Sequence, residues 1–160
     1  LFNSNKFFFK LTINNLPFQI FILLIFIQII MGALVSGLDA GKIYQTWPMM
    51  GSNYFPNDFN FKDLSSTLEF NNHSLVQFYH RNLAYLIILY AIFLGIFIYK
   101  KKLFNLYLSL KILSFILLLQ IALGIFTLVT GLNIYLASVH QITSVLLVLS
   151  ALNLYYCRAK

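Results

Sequence analysis

The sequence predicts an all-α membrane protein, a four-transmembrane-helix bundle made of two repeated helical hairpins. Three observations lead there. Of 160 residues, 60% are hydrophobic and only 9% charged, where soluble domains carry about 25% charged residues. Mean hydropathy is +0.81. The apolar residues fall into four stretches, each near the ~20 residues that a bilayer core requires. A soluble globular domain, a disordered segment and a nucleic-acid-binding module are thereby excluded. A single cysteine, Cys157, excludes an intrachain disulfide framework and a cysteine-based zinc site.

The first span is expected over about 17–36, with Pro17 suited to a helix start. The others are expected over about 75–99, 106–129 and 134–156. Short links near Lys100–Asn105 and Gly131–Asn133 make antiparallel hairpins. The long link, 37–74, carries Trp47, Pro48, Tyr54, Phe55 and Pro56. On composition it is either a folded lid on the membrane surface or a loose linker. Asn72-His73-Ser74 matches a glycosylation sequon at the membrane edge. The chain opens on Leu1 rather than Met, which suggests processing or a fragment.

Charge placement sets the expected topology. Lys6, Lys10, Lys100, Lys101, Lys102, Lys111, Arg158 and Lys160 fall on one side. Lys42, Lys62 and Arg81 fall on the other, with Asp39, Asp58, Asp63 and Glu69. Eight basic residues against three place both termini on the cytoplasmic or matrix side of a bacterial or mitochondrial inner membrane. The net charge of +7 thus reads as topology rather than as an anionic partner.

The first and third spans end alike. Gln28-x-x-x-Gly32 precedes Ser36-Gly37-Leu38-Asp39, and Gln120-x-x-x-Gly124 precedes Thr130-Gly131-Leu132-Asn133, with a two-residue difference in spacing. Each block is followed by an inward-running span with a histidine in its first turns, His80 or His140. Two parallel copies imply a pseudo-two-fold axis along the membrane normal; the alternative is chance similarity between apolar segments. At 1.5 Å per residue both histidines sit roughly 8–9 Å below the outer helix ends.

Ionisable groups at that depth are costly and are functional candidates, although a lone histidine in a helix is commonly a hydrogen-bonded packing residue. Zinc needs four ligands, and no Cys, Asp or Glu shares the depth. Haem iron needs two axial ligands, which a pair of neutral imidazoles supplies. A porphyrin also needs small neighbours: Ala84 and Ser144 stand at i+4 from His80 and His140, and Ala137 lies a turn before His140. Arg81 suits a haem propionate or, equally, a snorkelling position at the interface. Gln77 and Gln141 lie near enough to orient the imidazoles. Gln28 and Gln120 read as interhelical hydrogen-bond groups, and Gly32 and Gly124 as close-packing sites. His73 reads as a loop residue and Cys157 as a packing residue.

Gly32-Ala-Leu-Val-Ser-Gly-Leu-Asp-Ala-Gly41, Tyr44-Gln-Thr-Trp-Pro-Met-Met-Gly51, Val76-Gln-Phe-Tyr-His-Arg81 and Leu136-Ala-Ser-Val-His-Gln141 resemble the second half of haem A synthases of the proteobacterial and mitochondrial type. The resemblance runs from about Gly32 to Gln141. It implies one half of an eight-helix membrane oxidoreductase that converts the C8 methyl of haem O to the formyl of haem A for cytochrome c oxidase assembly. It further implies haem b held by His80 and His140, and substrate haem O in the missing amino-terminal half. That other half carries a glutamate three residues before its histidine, where this chain has Gln77. The implied partners are the lipid bilayer, haem, an amino-terminal half or partner chain, an electron donor and haem O synthase. No catalytic residue is assigned, and the chain alone is expected to be inactive. Competing readings are a b-type membrane cytochrome exchanging electrons with quinone, and a cofactor-free assembly subunit.

Overall fold

The computed structural model describes residues 13–58 and 69–159. Lys6, Lys10, Lys62, Asp63 and Lys160, counted in the charge argument, lie outside them. Four helices form: α1 (Leu16–Gly37), α2 (His73–Lys100), α3 (Tyr107–Val129) and α4 (Ile134–Ala159). Each is long and apolar enough to cross a membrane, α3 together with the 3-10 turn Phe104–Leu106 that leads into it. Pro17 occupies the first turn of α1, where its missing N–H is harmless.

The helices differ in length, and the difference has a use. The 22 residues of α1 span about 33 Å and the 28 of α2 about 42 Å, against a hydrocarbon core of ~30 Å. The first turns of α2 serve as a post for the segment 38–58. His73, expected in the loop, is the first residue of α2 and is exposed. The Asn72 carboxamide caps this helix by accepting from the Leu75 N–H at 3.1 Å. Asn133 does the same for α4, accepting from Tyr135 N–H at 3.0 Å.

The helices form a square. α1 packs chiefly on α2, and α3 on α4; the contacts α1–α4 and α2–α3 close the ring. The histidine-bearing helices α2 and α4 thus stand on one diagonal. Buried apolar side chains gather toward the end of the bundle that holds Lys100–Lys102. They come from Phe18, Phe21 and Ile25 on α1, Ile87, Leu94 and Ile98 on α2, Leu113 and Leu117 on α3, and Leu147, Ala151 and Leu154 on α4. Around this core, large apolar residues such as Leu23, Leu89, Phe115 and Ile142 lie more than half exposed. A continuous coat of that kind is what a lipid-facing surface requires. Since lipid tails are as apolar as leucine, helix association here rests on close packing rather than on water exclusion.

The structure corrects the alignment of the repeat. α1 ends with Leu38 N–H on Leu34 C=O and Asp39 N–H on Ser36 C=O. α3 ends with Thr130 N–H on Phe126 C=O and Gly131 N–H on Leu128 C=O. These bonds pair Leu38 with Thr130 and Asp39 with Gly131, the spacing that also pairs Gln28 with Gln120. Asp39 and Gly131 are the left-handed residues that close each helix, at φ 53° and 73°. The Gly-Leu-Asp and Gly-Leu-Asn strings, two residues out of step, are therefore not equivalent positions, and the two-residue discrepancy in the sequence disappears.

The segment 38–58 is folded against α2. Gln77 Nε2 donates to the Tyr44 carbonyl at 2.8 Å. Arg81 donates through Nη2 to the Tyr44 carbonyl at 2.8 Å and through Nη1 to the Thr46 and Met49 carbonyls at 2.9 and 3.3 Å. The Asp58 carboxylate accepts from Tyr44 Oη at 2.9 Å and Ser74 Oγ at 2.6 Å. Met50 and Pro56 are fully buried, and Phe55 sets its ring 4.7 Å from that of Phe78. Over 38–58 the link is folded against α2 rather than loose; residues 59–68 of it lie outside the described residues. The sequon is absorbed into the same structure: Asn72 is a helix cap, and the Ser74 hydroxyl is buried on Asp58.

Candidate functional site

Each copy of the repeat builds the same arrangement around its histidine. In the first, Gln28 Nε2 on α1 donates to the His80 carbonyl on α2 at 3.0 Å and stands 3.4 Å from His80 Nε2. In the second, Gln120 Nε2 on α3 donates to the His140 carbonyl on α4 at 3.0 Å and stands 3.5 Å from His140 Nε2. Each glutamine thus ties its helix to the next at the depth of the imidazole.

One turn beyond each glutamine is a glycine, and the imidazole lies over it. A methyl group added at Gly32 would stand 3.2 Å from His80 Cε1; at Gly124 it would stand 2.9 Å from His140 Cε1. Only a residue without Cβ lets the ring approach the neighbouring helix this closely. The approach has a chemical effect in the second copy, where His140 Nδ1 meets the Gln120 carbonyl at 3.1 Å. A carbonyl can only accept, so Nδ1 carries the proton and Nε2 keeps its lone pair. This is the arrangement found behind metal-bound histidines. The carbonyl of Gln120 performs the task for which Gln77 and Gln141 were considered. Gln77 holds the segment 38–58 instead, and Gln141 is exposed.

His80 lies seven residues into α2 and His140 six into α4, hence about 10 and 9 Å from the helix starts. Both are half-buried. Ala84 and Ser144, each one turn further along, are half-buried too, and the Ser144 hydroxyl is folded back on the Gln141 carbonyl at 2.6 Å. Arg81 projects toward the lid, its terminal nitrogens bound to three carbonyls and its Nε without a partner. Among the described residues no three His, Cys, Asp or Glu side chains converge. The donor set is therefore two imidazoles, with small residues beside them.

Outside the membrane spans, Asp58 has the perturbed carboxyl. Partial burial raises its pKa, but the hydrogen bonds from Ser74 and Tyr44 outweigh that and leave it below the usual carboxylate value. The Tyr44 hydroxyl is pushed up by burial and by its bond to the Asp58 anion. Both groups thus stay in the charge states their mutual hydrogen bond needs at neutral pH. At the opposite end of the bundle Cys157 Sγ accepts from Ser109 Oγ at 3.6 Å, a packing role.

The fold and site define a membrane four-helix bundle with two-fold internal repetition and a paired-histidine, glycine-backed centre near one end. The chain belongs to the COX15-CtaA family of cytochrome oxidase assembly proteins, whose family model matches residues 14–152. It is 46% identical over 140 residues to the haem A synthase of Pelagibacter ubique, covering 86% of this chain and 41% of that protein. It is 37% identical over 131 residues to the haem A synthase of Rickettsia prowazekii, covering 79% and 37%. To that of the Wolbachia symbiont of Brugia malayi it is 38% identical over 128 residues, covering 80% and 36%. The chain thus spans about two fifths of the length of the curated relatives it matches. No solved structure matches it.

Proposed function

We propose that this chain is the carboxyl-terminal, haem-b-binding half of a haem A synthase, the oxidoreductase that converts the C8 methyl of haem O to the formyl of haem A for cytochrome c oxidase assembly. The observation that carries the reading is the pair of glycine-backed imidazoles at matched depth on diagonally opposed helices. Two neutral nitrogen donors without a third ligand suit haem iron and do not suit zinc. When bound, the haem supplies one-electron redox chemistry.

The protein's own groups have separable tasks. His80 and His140 would hold the haem iron through their imidazole nitrogens. Gly32 and Gly124 let the rings retract to the helix backbone. Ala84 and Ser144 leave a flat macrocycle room beside each ligand. Arg81 ties the lid over α2, and its unpartnered Nε–H is the donor it retains for a propionate. The lid itself limits water at that end. Haem O would bind in the other half of the protein, and the electron donor and haem O synthase would be partners of the whole. Topology follows the lysines: both termini on the cytoplasmic or matrix side of a bacterial cytoplasmic or mitochondrial inner membrane, the lid outside.

The test is an absorption spectrum of the purified full-length protein. A bis-imidazole spectrum lost in both His80→Ala and His140→Ala supports ligation. A spectrum unchanged in both removes ligation by this pair, and a protein purified without any haem spectrum leaves a cofactor-free assembly subunit. Coexpression of this chain with an amino-terminal half should then yield haem A; stable assembly without haem A favours a b-type cytochrome exchanging electrons with quinone.

A further inference from the structure

The two copies differ in one respect that the repeat does not require. In the second, Gln120 Oε1 accepts a hydrogen bond from the Thr143 hydroxyl, which also lies 3.0 Å from the His140 carbonyl. Thr143 is 7% exposed, so this bond forms away from solvent. Gln120 is thus held at both ends of its amide, and its main-chain carbonyl holds His140 Nδ1. In the first copy the position three residues after the histidine is Leu83, which has no hydroxyl. Gln28 Oε1 is buried without a hydrogen-bond partner, and so is His80 Nδ1. Each buried polar atom left unpaired lowers the cost of moving the group that carries it.

We propose that Thr143 is a positioning residue that, through Gln120, makes His140 the fixed ligand of the centre and leaves His80 the exchangeable one. The inference rests on the haem-binding reading above and adds an inequality that the pseudo-symmetry alone would not produce. A carbonyl-bonded Nδ1–H increases electron donation from Nε2 and fixes the ring plane. Both effects fall on His140, and an incoming small ligand such as carbon monoxide would replace His80.

The experiment uses the haem-loaded full-length protein. His80→Ala should retain haem in a high-spin form that external imidazole returns to low spin. His140→Ala should lose haem, with retention lower by about 10-fold or more. Thr143→Val should shift the haem midpoint potential upward, with Thr143→Ser restoring it. Leu83→Thr, which supplies the missing hydroxyl to Gln28, should slow carbon monoxide binding to the reduced protein. Equal haem retention in the two alanine variants, or the opposite order, overturns the proposal, as does a Thr143→Val potential equal to the unmutated one. A low-spin spectrum that survives both alanine substitutions instead overturns the haem-binding reading itself, so the two failures are distinguishable.

Discussion

At the scale of single residues, the glycines decide what the histidines can do. A Cβ at Gly124 would stand 2.9 Å from His140 Cε1, closer than real Cβ contacts come, while at Gly32 the distance to His80 is 3.2 Å. Gly124→Ala should therefore push the His140 ring outward, break the Nδ1–Gln120 carbonyl bond and reduce the low-spin haem signal of the full-length protein. Gly32→Ala should do so less, because a few tenths of an ångström suffice. Optical spectra of the two variants at equal protein content check the order. Sequence reading selected both histidines, both glutamines and both glycines, since unusual polar and small residues in apolar helices are conspicuous. Thr143 escaped it because a threonine in a membrane helix usually bonds its own preceding turn, as Thr127 does with Leu123. Nothing in the string of letters shows that Thr143 points across to Gln120.

At the scale of elements, the outer lid depends on a few polar anchors. Arg81 spans three carbonyls with a planar fork that lysine cannot reproduce. Arg81→Lys should leave the helices intact by circular dichroism and speed proteolysis within 38–58. The Asp58 anchor makes the lid acid-sensitive. Its carboxyl titrates below the usual value when folded, so its contribution is full above about pH 4 and is lost as pH falls through the lower folded value. Protease sensitivity of the lid should be flat from neutral pH to about 5 and rise below about 4, and Asp58→Asn should abolish that step. The α2 cap is a separate matter: Asn72→Ala removes the acceptor for Leu75 N–H and should cost about 1 kcal/mol, read from denaturation in detergent. Composition left the lid's order open, because its anchors on α2, Ser74, Gln77 and Arg81, lie 16 to 37 positions from the groups they hold.

At the scale of the molecule, the fully buried apolar cluster fills one end of the bundle, and the two histidines with the glycines they lie over stand toward the other. The consequence is a division of labour. The packed end, around Leu94, Ile98 and Leu113, holds the helices in register; the end under the lid presents the imidazoles. Reporter fusions check the orientation this demands: alkaline phosphatase joined within 45–56 should be active, and joined after Lys102 inactive. The reversed pattern would place the lid inside and contradict the charge argument.

Hydropathy and charge, which act residue by residue, were enough to establish four apolar helices, their approximate ends and a duplicated histidine pair. Those features follow from the length of a bilayer crossing and the cost of polar groups within it, and both are properties of local composition. Tertiary structure alone decided the diagonal placement of α2 and α4, the true register of the repeat, the folding of the lid onto Arg81 and Gln77, and the unequal hydrogen bonding of the two imidazoles. Each of these depends on which side chain meets which across a helix interface. That is set by packing between segments distant in the chain, and no local pattern encodes it.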